Sequence, residues 1–192
     1  MTEEAADADA DTVPVGEGEV ATSRPRSRRL ILVLFAVAAV VVVLDQLAKT
    51  WAVTRLVPGT PRAVVHGWLD LLIVRNSGAA FSLLMRGTWL FTVVAVLVTV
   101  VIVRMSRRVG SLGWAIALGL LLGGALGNLV DRLVRAPGVG RGHVVDFIHF
   151  LRFPFIDFPV FNLADSCIVT AAFLIAWLAL RGIGVDGARQ VG

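Results

Sequence analysis

The stretch LILVLFAVAAVVVVL, residues 30–44, contains fifteen consecutive residues without a polar side chain. It follows an arginine-rich segment, residues 24–29, so the two together have the form of a signal peptide's charged region and apolar core. No cleavage site of small residues comes next, because residues 45–49 read DQLAK. We therefore interpret the stretch as an uncleaved first transmembrane helix that spans about residues 30–49.

Three further apolar runs also predict transmembrane helices. A helix needs about 20 residues to cross the hydrocarbon core of a bilayer. The first run reaches this length only with Asp45 and Lys49, and the last only with Asp165. We therefore expect these polar side chains at helix ends, near one membrane surface. The four predicted spans are approximately residues 30–49, 88–105, 112–131 and 161–181.

The composition of the 192 residues supports a polytopic membrane protein, since 57% are hydrophobic and the mean hydropathy is +0.82. Seven of the fourteen acidic residues lie in residues 1–19, and from Val20 onward 18 basic residues accompany seven acids, all Asp. An apolar, basic chain of this kind suits a bilayer with anionic lipids. The arginines are scattered between apolar runs, which argues against a nucleic-acid partner. The single cysteine, Cys167, excludes an intrachain disulfide.

The segments outside the apolar runs divide the chain further. Residues 1–23 are acidic and lack apolar periodicity, which predicts a disordered tail. Residues 24–184 form the predicted membrane domain, and residues 185–192 a short C-terminal tail. Residues 50–88 alternate β-branched and polar side chains between Pro and Gly, which predicts a small sheet outside the membrane. The Phe-rich residues 154–161 indicate either an interfacial segment or a loop that covers the core.

The third run carries Gly119, Gly123 and Gly127 at four-residue spacing. A ridge of small residues favours close helix packing in lipid, and a merely flexible helix is the alternative.

The charges suggest an orientation of the chain in the membrane, because the arginine-rich residues 24–29 and 104–108 fall on one side by alternation of the helices. The positive-inside rule favours a cytoplasmic location for that side by charge density, although each side carries nine Lys or Arg. Both termini are then cytoplasmic, and polar residues of four segments meet at the outer surface.

Asp45 and Lys49 are four residues apart, with the acid nearer the helix N-terminus, which favours an ion pair. Such a pair is structural, or it braces an active site.

Asn128, Asp131 and Arg132 share one helix face. Arg132 suits a lipid phosphate or a substrate carbonyl, and Asp131 beside it is expected to stay ionised in a supporting role. A purely structural role for this group is the alternative.

Asn76 ends the loop after the first helix, in the sequence RNSGAAF of residues 75–81. Its amide carries a donor and an acceptor, which suits clamping an extended peptide backbone, and a bare turn is the alternative.

His143 and His149 do not form a zinc motif, and no HExxH occurs, so we expect no metal.

Asp146 and Asp165 are the candidate catalytic pair. Two neighbouring carboxyl groups share a proton, so one can draw a proton from water while the other donates to a carbonyl oxygen. Asn162 lies three residues before Asp165, where it could orient that carboxyl group. Each Asp could instead be a helix cap or a turn residue. A proton-coupled transporter and a non-catalytic scaffold are alternative functions, although a transporter predicts polar residues through the membrane depth.

The chain resembles signal peptidase II, the bacterial lipoprotein signal peptidase family of aspartic peptidases (family A8). Five segments carry the resemblance in order: DQLAK at 45–49, NSGAAF at 76–81, GNLVDR at 127–132, VVDF at 144–147 and FNLAD at 161–165. The resemblance implies an all-α polytopic membrane protein with four transmembrane helices, an extracytoplasmic β-cradle and a short interfacial helix.

The resemblance also implies a cofactor-free peptidase that cuts prolipoproteins before a diacylglyceryl-modified cysteine. It acts as a monomer in the bacterial cytoplasmic membrane, in contact with lipid and near the outer face. The residues that would carry this activity are Asp146 and Asp165 as the catalytic pair, Asn76, Asn128, Arg132 and Asn162 as substrate contacts, and Asp45, Lys49 and Asp131 as support.

Overall fold

The computed structural model describes residues 28–78, 88–152 and 158–189, so the acidic tail and part of the Phe-rich segment lie outside the described residues. Four described helices are long and apolar enough to cross a membrane. A three-stranded sheet accompanies them, which confirms the predicted fold class. In chain order the elements are α1 (Arg28–Arg55), β1 (Arg62–Val65), β2 (Leu69–Asn76), α2 (Thr88–Ser106), α3 (Leu112–Val134), β3 (Val144–Phe150) and α4 (Leu163–Leu180).

Helix α1 is longer than the sequence predicted. Its 28 residues span about 42 Å at 1.5 Å per residue, more than the roughly 30 Å of hydrocarbon. The expectation that this helix ends near Lys49 is wrong, because no helix-breaking residue occurs before Pro58. Asp45 and Lys49 therefore lie within the helix, where both are fully buried. The last turns of α1 provide a platform for the sheet.

Helix α3 is the central helix, and it packs against α1, α2 and α4. The predicted close helix packing at its glycine ridge is confirmed, and the helix that the ridge faces is α1. A Cβ atom on Gly123 would lie 2.6 Å from Val41 Cβ, and one on Gly119 would lie 2.8 Å from the Leu34 carbonyl oxygen. Only glycine permits this approach. Because Gly119 meets the first half of α1 and Gly123 the middle, the two helices run parallel.

The sheet has the strand order β1-β2-β3, and both pairs are antiparallel. Ile73, Val145 and Phe147 pack against Ala52 of α1, and against Leu56 directly after it, in one apolar cluster. The predicted sheet within residues 50–88 is confirmed for β1 and β2, but residues up to Arg55 belong to α1. The third strand comes from the loop between α3 and α4, and the sequence did not predict it. This strand carries one of the two candidate catalytic residues to the sheet.

Helix α4 begins at Leu163 rather than at residue 161, with Asn162 as its N-cap. After α4 the chain folds back onto the turn between α2 and α3, where the Trp114 Nε1–H donates to the Ile183 carbonyl at 2.9 Å. The Gly110 N–H donates to the Val185 carbonyl, also at 2.9 Å. The predicted short C-terminal tail, residues 185–192, therefore begins against this turn, and its last residues lie outside the described part.

The Phe-rich segment is described only from Phe158 onward. Phe158 and Phe161 pack edge to face at 5.5 Å between ring centroids, and both contact Phe150 at the end of β3. This aromatic cluster joins the sheet to the start of α4. The predicted interfacial helix remains a prediction, because residues 153–157 lie outside the described part.

Candidate active site

Asp146 and Asp165, called the dyad below, come from different elements that meet at one end of the helix bundle. Asp146 is on β3, and Asp165 is in the first turn of α4. Asn162 contacts both. Its Nδ2 donates to Asp146 Oδ1 at 2.6 Å, and its backbone N–H donates to Asp165 Oδ2 at 3.2 Å. The Asp165 N–H in turn donates to Asn162 Oδ1 at 2.9 Å. The capping box of α4 thus connects the two carboxyl groups.

A second amide binds each member of the dyad. Asn76 Nδ2 donates to Asp146 Oδ2 at 2.9 Å, and Asn128 Nδ2 donates to Asp165 Oδ1 at 2.7 Å. Every carboxyl oxygen of the dyad therefore accepts a hydrogen bond from a neutral donor. None of the ion pairs within the described residues includes Asp146 or Asp165. Neutral donors hold the carboxyl groups in place without fixing a negative charge on both of them.

The two dyad members differ in their exposure. Asp146 is 1% exposed, whereas Asp165 is only partly buried. Burial raises the pKa of Asp146 to about 6, and the negative charge of Asp165 adds to this rise, although the hydrogen bonds from Asn76 and Asn162 oppose it. The fold therefore favours the protonated form of Asp146 in weakly acidic solution.

A second group of polar residues, the Lys49 cluster, lies beside the dyad. Lys49 Nζ is 2.8 Å from Asp45 Oδ2 and 3.1 Å from Asp131 Oδ2, and all three side chains are fully buried. Arg135 Nε lies 2.7 Å from Asp131 Oδ1. Gln46 Nε2 donates to Asp45 and to Asp131, each at 3.2 Å. The cluster is thus an ion-pair network with satisfied polar atoms, as buried charges require.

The Lys49 cluster also holds the backbone of both elements that carry the dyad. Asp45 Oδ1 accepts a hydrogen bond from the Ala164 N–H at 3.0 Å, and Asp131 Oδ2 accepts one from the Val145 N–H at 3.0 Å. Ala164 precedes Asp165 in the chain, and Val145 precedes Asp146. Each acid of the cluster therefore fixes the residue just before one dyad member. The cluster is therefore an ion-pair network that also contacts both elements carrying the dyad.

Arg132 forms none of the ion pairs among the described residues, although it is adjacent to Asp131. Its Nη1 donates to the Asn128 carbonyl at 3.2 Å, and its guanidinium lies 5.7 Å from the centroid of the Phe91 ring. Successive residues on a helix point about 100° apart, so Asp131 and Arg132 face different neighbours. Arg132 is within electrostatic range of both dyad carboxyl groups.

Comparison with known proteins agrees with this geometry. The family model described as signal peptidase (SPase) II matches residues 37–181. The chain belongs to the signal peptidase II family. It is 50% identical over 151 residues to the lipoprotein signal peptidase of Rhodococcus jostii, which covers 79% of this chain and 74% of that protein. It is also 50% identical over 145 residues to the lipoprotein signal peptidase of Streptomyces coelicolor, over 76% of this chain and 69% of the relative.

A solved structure of a bacterial membrane enzyme has a similar fold. A bacterial membrane enzyme determined in meso at 1.9 Å resolution superposes with a TM-score of 0.68 and 32% identity, over 77% of this chain and 92% of that one. The resemblance inferred from the five sequence segments is therefore confirmed. As a member of this family, the protein is a membrane-bound aspartic peptidase.

Three residues of the site in this signal peptidase II family member were not singled out from the sequence. Gln46 lies next to Asp45 in an otherwise apolar helix, and Arg135 lies four residues after Asp131, a spacing that signals an ion pair. Gln46 and Arg135 could therefore have been identified from the sequence. Phe91 gives no such signal, because it lies within an apolar run of α2.

Proposed function

We propose that this member of the signal peptidase II family hydrolyses the peptide bond before a diacylglyceryl-modified cysteine of prolipoproteins, with Asp146 and Asp165 as the catalytic pair. Family membership supports the coarser statement that signal peptides are removed from prolipoproteins. The observation that carries the finer proposal is that Asn162 hydrogen-bonds to both carboxyl groups, with no cation paired to either in the described structure. Such a pair can share one proton.

The two acids take different roles in the first step. Asp165 is in the first turn of α4, where the helix N-terminus favours a negative charge. Asp165 is the general base and takes a proton from the attacking water. Asp146, protonated because it is buried, donates its proton to the carbonyl oxygen as the new C–O bond forms. The product of this step is a neutral tetrahedral diol beside Asp165 as the acid and Asp146 as the carboxylate.

The second step restores both groups. Asp165 donates its proton to the nitrogen of the leaving amine while the C–N bond breaks. Asp146 takes a proton from one hydroxyl group of the diol, which becomes the carboxyl group of the released signal peptide. The protons therefore balance over the cycle, and the chain's own residues supply every transfer.

The substrate backbone is expected to contact the side chains around the dyad, namely Asn76, Asn128, Arg132 and Asn162. Of these side chains, Arg132 has the most hydrogen-bond donors left for a contact with the substrate. Within the described part of the chain its hydrogen-bond partner is the Asn128 carbonyl, so other guanidinium donors remain for a substrate carbonyl. A planar cation with several donors suits an extended peptide in a partly dry site.

The location of the dyad fits a substrate with a lipid anchor. The dyad lies near the C-terminal end of α3, where Asn128 contacts Asp165. The turn between α2 and α3, with Arg107 and Arg108, precedes the N-terminus of α3 and is therefore at the opposite end of the bundle. We assign that basic end to the cytoplasm, together with both termini. The dyad is then near the outer face of the bacterial cytoplasmic membrane. A monomer is sufficient, since one chain contributes both acids.

The test is cleavage by the purified protein in phospholipid vesicles of a synthetic prolipoprotein, with and without the diacylglyceryl group. We expect the lipidated form to be cut and the product to begin with the modified cysteine, as mass spectrometry of both fragments would show. A chelator should leave the rate unchanged. Equal cleavage of the unlipidated form would reject the proposed substrate, and cleavage by Asp146→Asn would reject the proposed catalytic pair.

A substitution at Arg132 tests the substrate contact. Arg132→Ala should raise KM about tenfold, the effect of losing one charged hydrogen bond, while kcat changes less. The control is Arg108→Ala, on the turn at the opposite end of the bundle. An unchanged KM in Arg132→Ala would assign Arg132 a structural role.

A further inference from the structure

Helix α2 contributes no polar side chain to the site, yet one of its aromatic rings touches two site segments. Phe91 is half-buried in the first turns of α2. The guanidinium of Arg132 lies over its ring at 5.7 Å from the centroid, within the range of a cation–π interaction. The same ring lies against Gly78, where an added Cβ atom would be 2.5 Å from Phe91 Cε2.

Both contacts lead to groups that surround the dyad. The Gly78 N–H donates to Asn76 Oδ1 at 2.7 Å, and this turn points Asn76 Nδ2 at Asp146. On the other side, Arg132 is held by the Asn128 carbonyl at one nitrogen and by the Phe91 ring at its face. The ring is therefore a shared support for one side chain from the sheet and one from α3.

The site offers Arg132 no stronger support among the described residues. It forms none of the ion pairs, in contrast to Arg135, whose Nε lies 2.7 Å from Asp131. A long side chain with one hydrogen bond to its own helix would otherwise sample several rotamers, which lowers affinity for a substrate. The aromatic face restricts Arg132 and leaves its outward donors free.

We infer that Phe91 is a positioning residue for substrate binding, which holds Arg132 and the Asn76 turn beside the dyad. This inference rests on the proposed role of Arg132 as a substrate contact. It also explains the glycine at position 78, because any side chain there would displace the ring. Position 91 thus requires an aromatic residue, whereas Ile102 of α2, which is buried in the core, requires only an apolar side chain.

The experiment measures KM and kcat for a lipidated prolipoprotein with Phe91→Leu, Phe91→Tyr and Phe173→Leu in vesicles. Phe91→Leu keeps an apolar side chain but removes the ring, so KM should rise roughly fivefold, the size of one partly desolvated cation–π contact. The value of kcat should change by less than about twofold. Phe91→Tyr should restore KM to within about twofold of the unaltered protein. Phe173 is 72% exposed on α4 and provides the matched control.

A double variant distinguishes failure of this inference from failure of the proposed function. If Phe91 acts on substrate binding chiefly through Arg132, then Phe91→Leu should raise KM by less than about twofold in the Arg132→Ala background, where only its effect through the Asn76 turn remains. Multiplicative effects, or a leucine variant with an unchanged KM, would overturn the role of Phe91 while the role of Arg132 stands. An unchanged KM in Arg132→Ala alone would reject both roles. Loss of rescue by tyrosine, with both variants folded by circular dichroism, would also overturn the inference.

Discussion

Two pairs of aspartates lie side by side in this protein, and they have different partners. Asp45 and Asp131 meet the cation of Lys49 at 2.8 and 3.1 Å. Among the described residues, the hydrogen bonds to the Asp146 and Asp165 carboxyl groups come from side-chain amides and a backbone N–H group. A cation favours the charged form of a carboxyl group, whereas neutral donors leave room for a shared proton. The identity of the partner, rather than the depth of burial, therefore separates the structural pair from the pair proposed for catalysis.

The two pairs are also connected. Lys49 Nζ donates to Asn128 Oδ1 at 3.0 Å, and Asn162 Nδ2 donates to the same oxygen at 3.1 Å. With its oxygen occupied in this way, the Asn128 amide must point its NH₂ group at Asp165. The charged cluster thus orients a neutral donor of the dyad without contacting the dyad itself.

The largest expected effect comes from replacing a dyad member by its amide. Asp146→Asn and Asp165→Asn should each reduce kcat by about 10⁴-fold or more, because the single proton-sharing pair is lost. Their thermal unfolding in detergent should shift only modestly, since the amide has the shape of the acid although its NH₂ group then faces one hydrogen-bond donor. Residual activity above about 1% in either variant would contradict the proposed roles.

The corresponding change in the Lys49 cluster should act on stability instead. Lys49→Met leaves Asp45 and Asp131 buried without their common cation, which should cost about 3–5 kcal/mol in the free energy of unfolding. Adding Asp45→Asn should recover part of this loss, because one buried charge is removed. Denaturant unfolding in mild detergent measures both. If Lys49→Met were as stable as the unaltered protein, the cluster would not have the bracing role described above.

The pH dependence of activity should report the dyad rather than the cluster. The pKa of Asp146 is raised by burial to about 6, so its proton is lost as the pH passes that value. Above about pH 6, kcat/KM should fall roughly tenfold per pH unit. The same raised pKa makes the folded state less stable as the pH rises from about 4 to 6, and Asp146→Asn should remove this slope. A flat rate profile between pH 5 and pH 8 would contradict the assignment of Asp146 as the acid.

The smallest effect is expected at the edge of the cluster. Arg135 is 20% exposed, and Asp131 keeps Lys49 and the Val145 N–H when Arg135 is replaced. Arg135→Gln should therefore cost only about 1 kcal/mol and reduce kcat/KM by less than about tenfold. Calorimetry and initial rates on the same preparation measure the two quantities. A loss as large as that of Lys49→Met would show that Arg135 is the principal partner of Asp131.

The sequence predicted the parts of the fold that follow from hydropathy and small-residue spacing. The four helices are confirmed, and so is the close helix packing at Gly119 and Gly123, although the sequence did not identify α1 as the partner. The end of α1 was predicted wrongly, because the polarity of Asp45 and Lys49 suggested a helix end although their charges are satisfied by α3. Hydropathy measures the cost of burying a charge but contains no information about a distant partner.

The candidate residues came from polar side chains in unusual places, and the structure brings them together around one point. It was harder to predict which of these residues pair with each other than which residues belong to the site. Asp131 was expected to stay ionised beside Arg132, whereas its ion-pair partners among the described residues are Arg135, one helical turn away, and Lys49 of another helix. Phe91 was missed because an aromatic residue in an apolar run has no signature until its neighbours across the fold are known.

Asn162 has a consequence for inhibitor chemistry. Its side-chain oxygen caps α4, and its side-chain nitrogen contacts Asp146. A compound that captured this amide would therefore also loosen the first helical turn, at a cost to its own affinity. A hydroxyl group that bridges the two acids avoids this cost and imitates the attacking water. A substitution of Asn162 that weakened binding of such a compound would also impair the enzyme itself. We therefore expect no resistance mutations at this position.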